Sequence, residues 1–124
     1  MFYLVYERDP FVRVDICEAL VGEFEGKPVV ECDTLESLEQ GLAVYSDRLQ
    51  QTCVAFAVSA DESEAELEWL SRMAPVGRLV ILADEVPPDF PRRRDAVYLS
   101  KPFSTHGLIA AIRDGLSDQL ASQT

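Results

Sequence analysis

Two periodicities alternate along this chain. Phe2-Tyr3-Leu4-Val5-Tyr6 is a continuous run of β-forming residues that stops at charge and Pro10, which predicts a buried strand. From Phe11 the period lengthens. Val12, Ile16, Ala19 and Leu20 recur at helical spacing, and Gly22 and Gly26 bracket the end of that helix. Pro28 to Cys32 reads as the next strand, after which Asp33 or Thr34 caps a helix with Leu35, Leu38, Leu42 and Tyr45 on one face. Cys53 to Val58 is uninterrupted apolar sequence too short for a helix, the pattern of a strand covered on both faces. The acidic segment Asp61 to Glu68 opens a third helix, where negative charge suits the positive N-terminal end. Leu67, Leu70 and Met73 supply its inner face, and the acids are expected to form a solvated one. Leu79 to Leu82 and Ala96 to Leu99 read as two further strands. Ser104 or Thr105 caps a last helix carrying Leu108, Ile109, Ile112 and Leu116.

Strict alternation of strand and helix predicts an α/β fold: a parallel sheet with helices on both faces, a three-layer sandwich. One helix is missing from the pattern. Between the last two strands the chain carries Pro87, Pro88 and Pro91, each of which removes an N–H and clashes with the preceding turn. The segment 84–95 is therefore expected to be a loop or a single turn, with the fourth helix shortened or lost.

At 124 residues the chain has room for one domain, placed at 1–120 with a polar tail at 121–124. The 22 acids outnumber 11 Lys and Arg, giving a net charge of −11 that argues against binding nucleic acid or an anionic membrane by bulk electrostatics. No apolar run approaches the roughly 20 residues of a membrane span, and strand-like sequence begins directly after Met1. Cys17, Cys32 and Cys53 are odd in number and each lies among apolar neighbours, so they read as buried reduced thiols in a cytoplasmic protein. His106 has no partner in view and reads as a surface histidine.

In an open doubly wound sheet the site lies at the carboxyl ends of the strands. Those ends are Glu7-Arg8-Asp9-Pro10, Asp33, Val58-Ser59-Ala60-Asp61, Ala83-Asp84 and Ser100-Lys101-Pro102-Phe103. With Arg13 after the first strand, and with Tyr98 three residues before Lys101-Pro102-Phe103, the chain resembles the receiver domains of bacterial response regulators over nearly its whole length. The resemblance implies a flavodoxin-like sheet in the order 2-1-3-4-5. It also implies a pocket in which an acidic pair and a phosphate-accepting aspartate hold Mg²⁺ while a hydroxyl and a lysine bind the phosphoryl group. Mapped onto that pattern, Glu7 matches the first acid, Arg8 replaces the second, and Lys101 matches the lysine. The acceptor position falls at Ala57, or at Ser59 if the strand runs two residues longer, and Ala83 stands where the hydroxyl belongs. Tyr98 takes the place of the switch aromatic.

Charge decides what such a pocket does. Three acids and one lysine leave an excess of negative charge that a divalent cation neutralises, whereas Glu7, Arg8 and Lys101 together carry +1. A cation beside Arg8 then costs on the order of several kcal/mol even at an effective dielectric near 20, and one glutamate is a poor start for octahedral oxygen ligation. Asp9, Asp61 and Asp84 are near enough to offset Arg8. Without the resemblance, Glu7 and Lys101 read as an ion pair across strand ends, and Arg8 as either a fixed cation or a solvated side chain.

The reading that follows is a phosphorylation-independent receiver, not an enzyme and without a cofactor, that binds a histidine kinase, an output domain or another receiver. The alternative is an active phosphoacceptor that uses Asp61 or Asp84. A small-molecule site is weaker, because the first strand-to-helix turn has no glycine to admit a phosphate to the backbone. The interface, including a possible homodimer, is expected on segment 86–99 with the helix at 104–120. Loss of the fourth helix would uncover Val97 and Leu99 there, and Arg92-Arg93-Arg94 would meet acids on the partner.

Overall fold

The computed structural model describes residues 1–84 and 95–114. Strand β1 (Phe2–Tyr6) leads into helix α1 (Pro10–Glu23), then β2 (Val29–Cys32), α2 (Leu35–Val44), a 3-10 turn at Leu49–Gln51 and β3 (Thr52–Ala57). Helix α3 (Ser63–Arg72), β4 (Arg78–Ala83), β5 (Ala96–Ser100) and α4 (Thr105–Asp114) complete the order. The helix starts follow from local chemistry. Asp9 caps α1, its carboxylate accepting from the Phe11 and Val12 amides, with Pro10 in the first turn where no N–H is needed. Thr34 caps α2 through a reciprocal box, its hydroxyl accepting from the Ser37 amide at 3.0 Å while the Ser37 hydroxyl accepts from the Thr34 amide at 3.1 Å. Ser104 caps α4, accepting from the Gly107 amide at 2.9 Å.

All five strands are parallel in the order β2-β1-β3-β4-β5, with β2 and β5 at the edges. Central β3 is buried at every residue. Alternate side chains feed two cores. Tyr3, Val5, Ala55 and Leu82 pack with Ile16 and Leu20 of α1 and Leu108 and Ile112 of α4. Leu4, Tyr6, Phe56 and Ile81 pack on the opposite face, with Leu38 of α2 and Leu70 of α3. Each fully buried Leu, Ile or Phe contributes roughly 1.5–3 kcal/mol relative to exposure, so the three layers hold without disulfides. Cys17, Cys32 and Cys53 are buried and unpaired.

The expected architecture and strand order are those observed. One expectation fails. Val97 and Leu99 are buried against α4 on the α1/α4 face, so they are not the flank a missing fourth helix would uncover. Strand parity is the reason: Ala96 and Tyr98, half-buried, are the β5 residues that turn to the other face. The expectation of a broken helix and the Arg92-Arg93-Arg94 island fall on residues 85–94, outside the described residues; so do Leu116 and the tail.

At the far end of the sheet β4 begins tightly. A Cβ on Gly77 would lie 2.3 Å from the Gln50 carbonyl oxygen, so only glycine lets the chain pass there.

Candidate functional site

The carboxyl ends of β1, β3, β4 and β5 bring the expected pocket residues together. Strand β3 ends at Ala57, and Ser59 lies in the loop beyond it. Ala57 is 1% exposed and Ala83, at the end of β4, 4% exposed; the two methyl groups pack into the cores on opposite faces of the sheet.

Glu7 is 4% exposed. Its Oε1 accepts from the Asp9 amide at 2.9 Å, while Oε2 is buried without a hydrogen-bond partner among the described residues. That oxygen faces the Lys101 ammonium at 3.8 Å. Lys101 Nζ itself donates to the Val58 carbonyl at 3.1 Å, tying β5 to the end of β3. The Lys101–Pro102 peptide is cis. Arg13 steadies the same corner from α1, donating to the Glu7 carbonyl at 2.8 Å and pairing with Glu31 at 3.2 Å. The ion-pair reading of Glu7 and Lys101 is therefore the geometry found.

Arg8 is not a free surface cation. Its Nη1 donates to Asp61 Oδ1 at 3.1 Å and to Ser59 Oγ at 3.3 Å, spanning from β1 to the loop before α3. The Asp61 carboxyl is held below the ordinary carboxylate range, first by its own backbone amide and then by Arg8 and Ser59. Asp9 is committed to capping α1, and Asp84 is exposed. Tyr98, in register with Ile81, is half-buried against the α2/α3 face. His106 is exposed in the first turn of α4.

The acids of Asp61 to Glu68 do not all form a solvated face. Glu66 is 0% exposed. Its Oε2 accepts from the Tyr6 hydroxyl at 2.5 Å, and its Oε1 accepts from the Ser59 amide at 2.7 Å and the Ser59 hydroxyl at 2.9 Å. Burial, then the Glu66 carboxylate, pushes the Tyr6 phenol well above its ordinary range. A buried carboxylate persists only when its lone pairs are taken up, and these three donors do so. Two signals for it are present in the sequence. Glu66 stands four residues before Leu70 and seven before Met73, on the buried stripe, and Tyr6 brings a hydroxyl into a buried strand that needs a partner.

The donors present do not fit the Mg²⁺ that the receiver resemblance implies. Glu7 offers one unpaired oxygen, and an ammonium faces it. Asp61 is drawn to Arg8, and no three His, Cys, Asp or Glu side chains among the described residues are placed to share a metal ion. No helix among the described residues is long and apolar enough to cross a membrane.

No protein-family model matches the chain, and no curated protein matches it. Solved structures do. A response regulator receiver domain protein of Bacillus halodurans superposes with a TM-score of 0.60 at 18% identity, covering 94% of this chain and 98% of that one. An atypical orphan response regulator, described as having a phosphorylation-independent regulatory mechanism, superposes with a TM-score of 0.61 at 18% identity, covering 92% of this chain and 93% of its own. With strand order 2-1-3-4-5 and helices on both faces, the chain has the flavodoxin-like fold of response regulator receiver domains.

Proposed function

We propose that this chain is a receiver-like interaction module that signals without aspartyl phosphorylation and catalyses no group transfer of its own. The observation that carries the reading is the end of β3. Where the receiver resemblance calls for an acceptor carboxylate, the chain has the buried methyl of Ala57. The nearest loop carboxylate, Asp61, is engaged by a guanidinium. A carboxylate held low by an adjacent cation is a weak nucleophile, and Arg8 opposes the metal that would otherwise activate it. The similar atypical orphan regulator, with its phosphorylation-independent mechanism, supports the same reading by analogy of fold.

Binding to a histidine kinase, an output domain or another receiver is supported by helix α1. A surface helix normally buries one apolar stripe and keeps the other face polar. Helix α1 buries Ile16, Cys17 and Leu20, yet also turns Phe11, Val14 and Val21 to solvent, with Phe11 82% exposed. Exposed apolar side chains aligned on one helix face mark a surface that a partner covers.

Incubation with acetyl phosphate and Mg²⁺, followed by intact mass, tests the chemistry. The expected result is no phosphate gained. A gain mapping to Asp61 or Asp84 overturns the reading and establishes an active phosphoacceptor instead.

A further inference from the structure

The loop between β3 and α3 is gripped from two sides by side chains from the end of β1 and from α3. From outside, Arg8 reaches over from the end of β1 and donates to both Ser59 Oγ and Asp61 Oδ1. From beneath, Glu66 of α3 accepts from the Ser59 amide and the Ser59 hydroxyl, and is held in turn by the Tyr6 hydroxyl of β1. Ser59 is the junction. Its hydroxyl accepts from a guanidinium and donates to the Glu66 carboxylate, to which the Tyr6 hydroxyl also donates, so the donors from both sides converge on Glu66. Such bonds polarise one another and are held most firmly where water is excluded, as it is around Glu66.

We infer that Arg8 and Glu66 together form a built-in clamp that fixes the loop 58–62 in one conformation with neither a metal ion nor a phosphoryl group bound. The guanidinium is a permanent charge. It does not compete with Mg²⁺ for Glu7, whose unpaired oxygen faces Lys101 instead. The loop is ordered by the chain itself. The surface it presents is constant.

This inference goes beyond the interaction reading and concerns the state of the loop, not the identity of a partner. Loss of binding at α1, or its persistence, leaves the clamp standing. The test is backbone ¹⁵N relaxation over residues 58–62 with hydrogen exchange at the Ser59 amide, on the full chain with and without millimolar Mg²⁺. In the unmodified protein the loop is expected to be as rigid as β3 and unchanged by Mg²⁺. Arg8→Ala is expected to loosen residues 59–61 and speed Ser59 exchange at least tenfold, with the amides of β3 and β4 unaffected. Glu66→Gln, which keeps one acceptor oxygen but turns a donor toward Tyr6 or Ser59, is expected to do the same more strongly. If Glu66→Gln also releases the strand amides, Ser59→Ala, which removes only the junction hydroxyl, takes its place. A loop that is mobile in the unmodified protein, that stiffens on adding Mg²⁺, or that ignores Arg8→Ala overturns the clamp.

Discussion

The Tyr6 phenol and the Glu66 carboxylate, separated by 60 positions in sequence, meet at 2.5 Å at a point where neither side chain reaches solvent. The pair joins the first strand to the third helix across the α2/α3 face. Removing one partner of a buried hydrogen bond leaves the other with its full desolvation penalty, about 1–3 kcal/mol and more where the survivor is charged. Tyr6→Phe, which keeps the ring against Phe56, is therefore expected to lower stability by about 2–3 kcal/mol in urea denaturation. A change below 0.5 kcal/mol would mean that water replaces the phenol.

Alkaline pH offers a second measurement. Burial pushes the Cys17 and Cys32 thiols up to about 11 and Cys53 up to about 12, from an ordinary value of 9.0. The folded protein then holds these protons after the unfolded chain has released them. Stability from this source is complete below pH 9 and is lost as pH rises through 11. Denaturation midpoints at pH 8, 9, 10 and 11 are expected to fall across that series. Replacing the three cysteines by alanine is expected to reduce the slope, most clearly between pH 8 and 10, with the buried Tyr6 phenol sustaining a decline above pH 10.

Much of this was legible in the sequence, for a reason that also marks its limit. Strands such as β3 announce themselves because both faces are covered, so no polar residue interrupts the run. The alternation of strand and helix then leaves few topologies. What averaging over a segment hides is the single residue that departs from it. Asp61 to Glu68 reads as acidic and therefore exposed, yet the helical period turns Glu66 inward with Leu70. Val97 and Leu99 read correctly as apolar. Which helices they face depends on strand parity and on the side taken by each crossover, and neither is a property of those residues. Among the pocket residues the sequence supplied Glu7 and Lys101 as a pair, but for Arg8 it offered Asp9, Asp61 and Asp84 without distinguishing them, and only the folded loop brings Asp61, with Ser59, to it.

The Glu7–Lys101 pair carries its own prediction. Glu7 is nearly inaccessible and, among the described residues, its Oε2 has only the Lys101 ammonium in view. Taking away one member of a buried pair strands the other charge, at a cost of about 3–5 kcal/mol. Lys101 is partly exposed, so Lys101→Met is expected at the low end, near 3 kcal/mol. The double variant Lys101→Met with Glu7→Gln is expected to recover part of that loss. If the two losses simply add, the 3.8 Å approach is not an interaction.

Gly77 is a backbone prediction. The Cβ of an alanine there would sit 2.3 Å from the Gln50 carbonyl oxygen and 3.3 Å from that of Thr52. Neither atom is the end of a flexible side chain, so the 3-10 turn and the start of β4 must part. Forcing such a shift costs about 1–3 kcal/mol, and Gly77→Ala is expected to destabilise by that amount. Gly22→Ala, where the added Cβ meets nothing within 4 Å, is the control. In the last full turn of α1 it is expected to be neutral or stabilising by up to about 1 kcal/mol.

The outward face of α1 separates docking from folding most cleanly. Phe11, Val14 and Val21 follow one another at helical spacing and make little use of their apolar area in the isolated domain. Beside them, a cleft of about 830 Å³ opens between α1 and the turn into α4, floored by Val12, Ile16, Phe103 and Leu108 and edged by Asp15 and Glu18. Polar substitutions on an exposed helix face normally change stability by no more than about 0.5 kcal/mol. Phe11→Ser with Val21→Ser is therefore expected to leave the denaturation midpoint within that range while binding to a captured kinase, output domain or receiver weakens tenfold or more by titration. The acids at the rim add a second signature: a basic partner surface would bind more weakly as salt rises. If affinity is untouched in the Ser variant, the exposed stripe is not the docking face, and the edge made by β5 with the segment before it becomes the surface to probe.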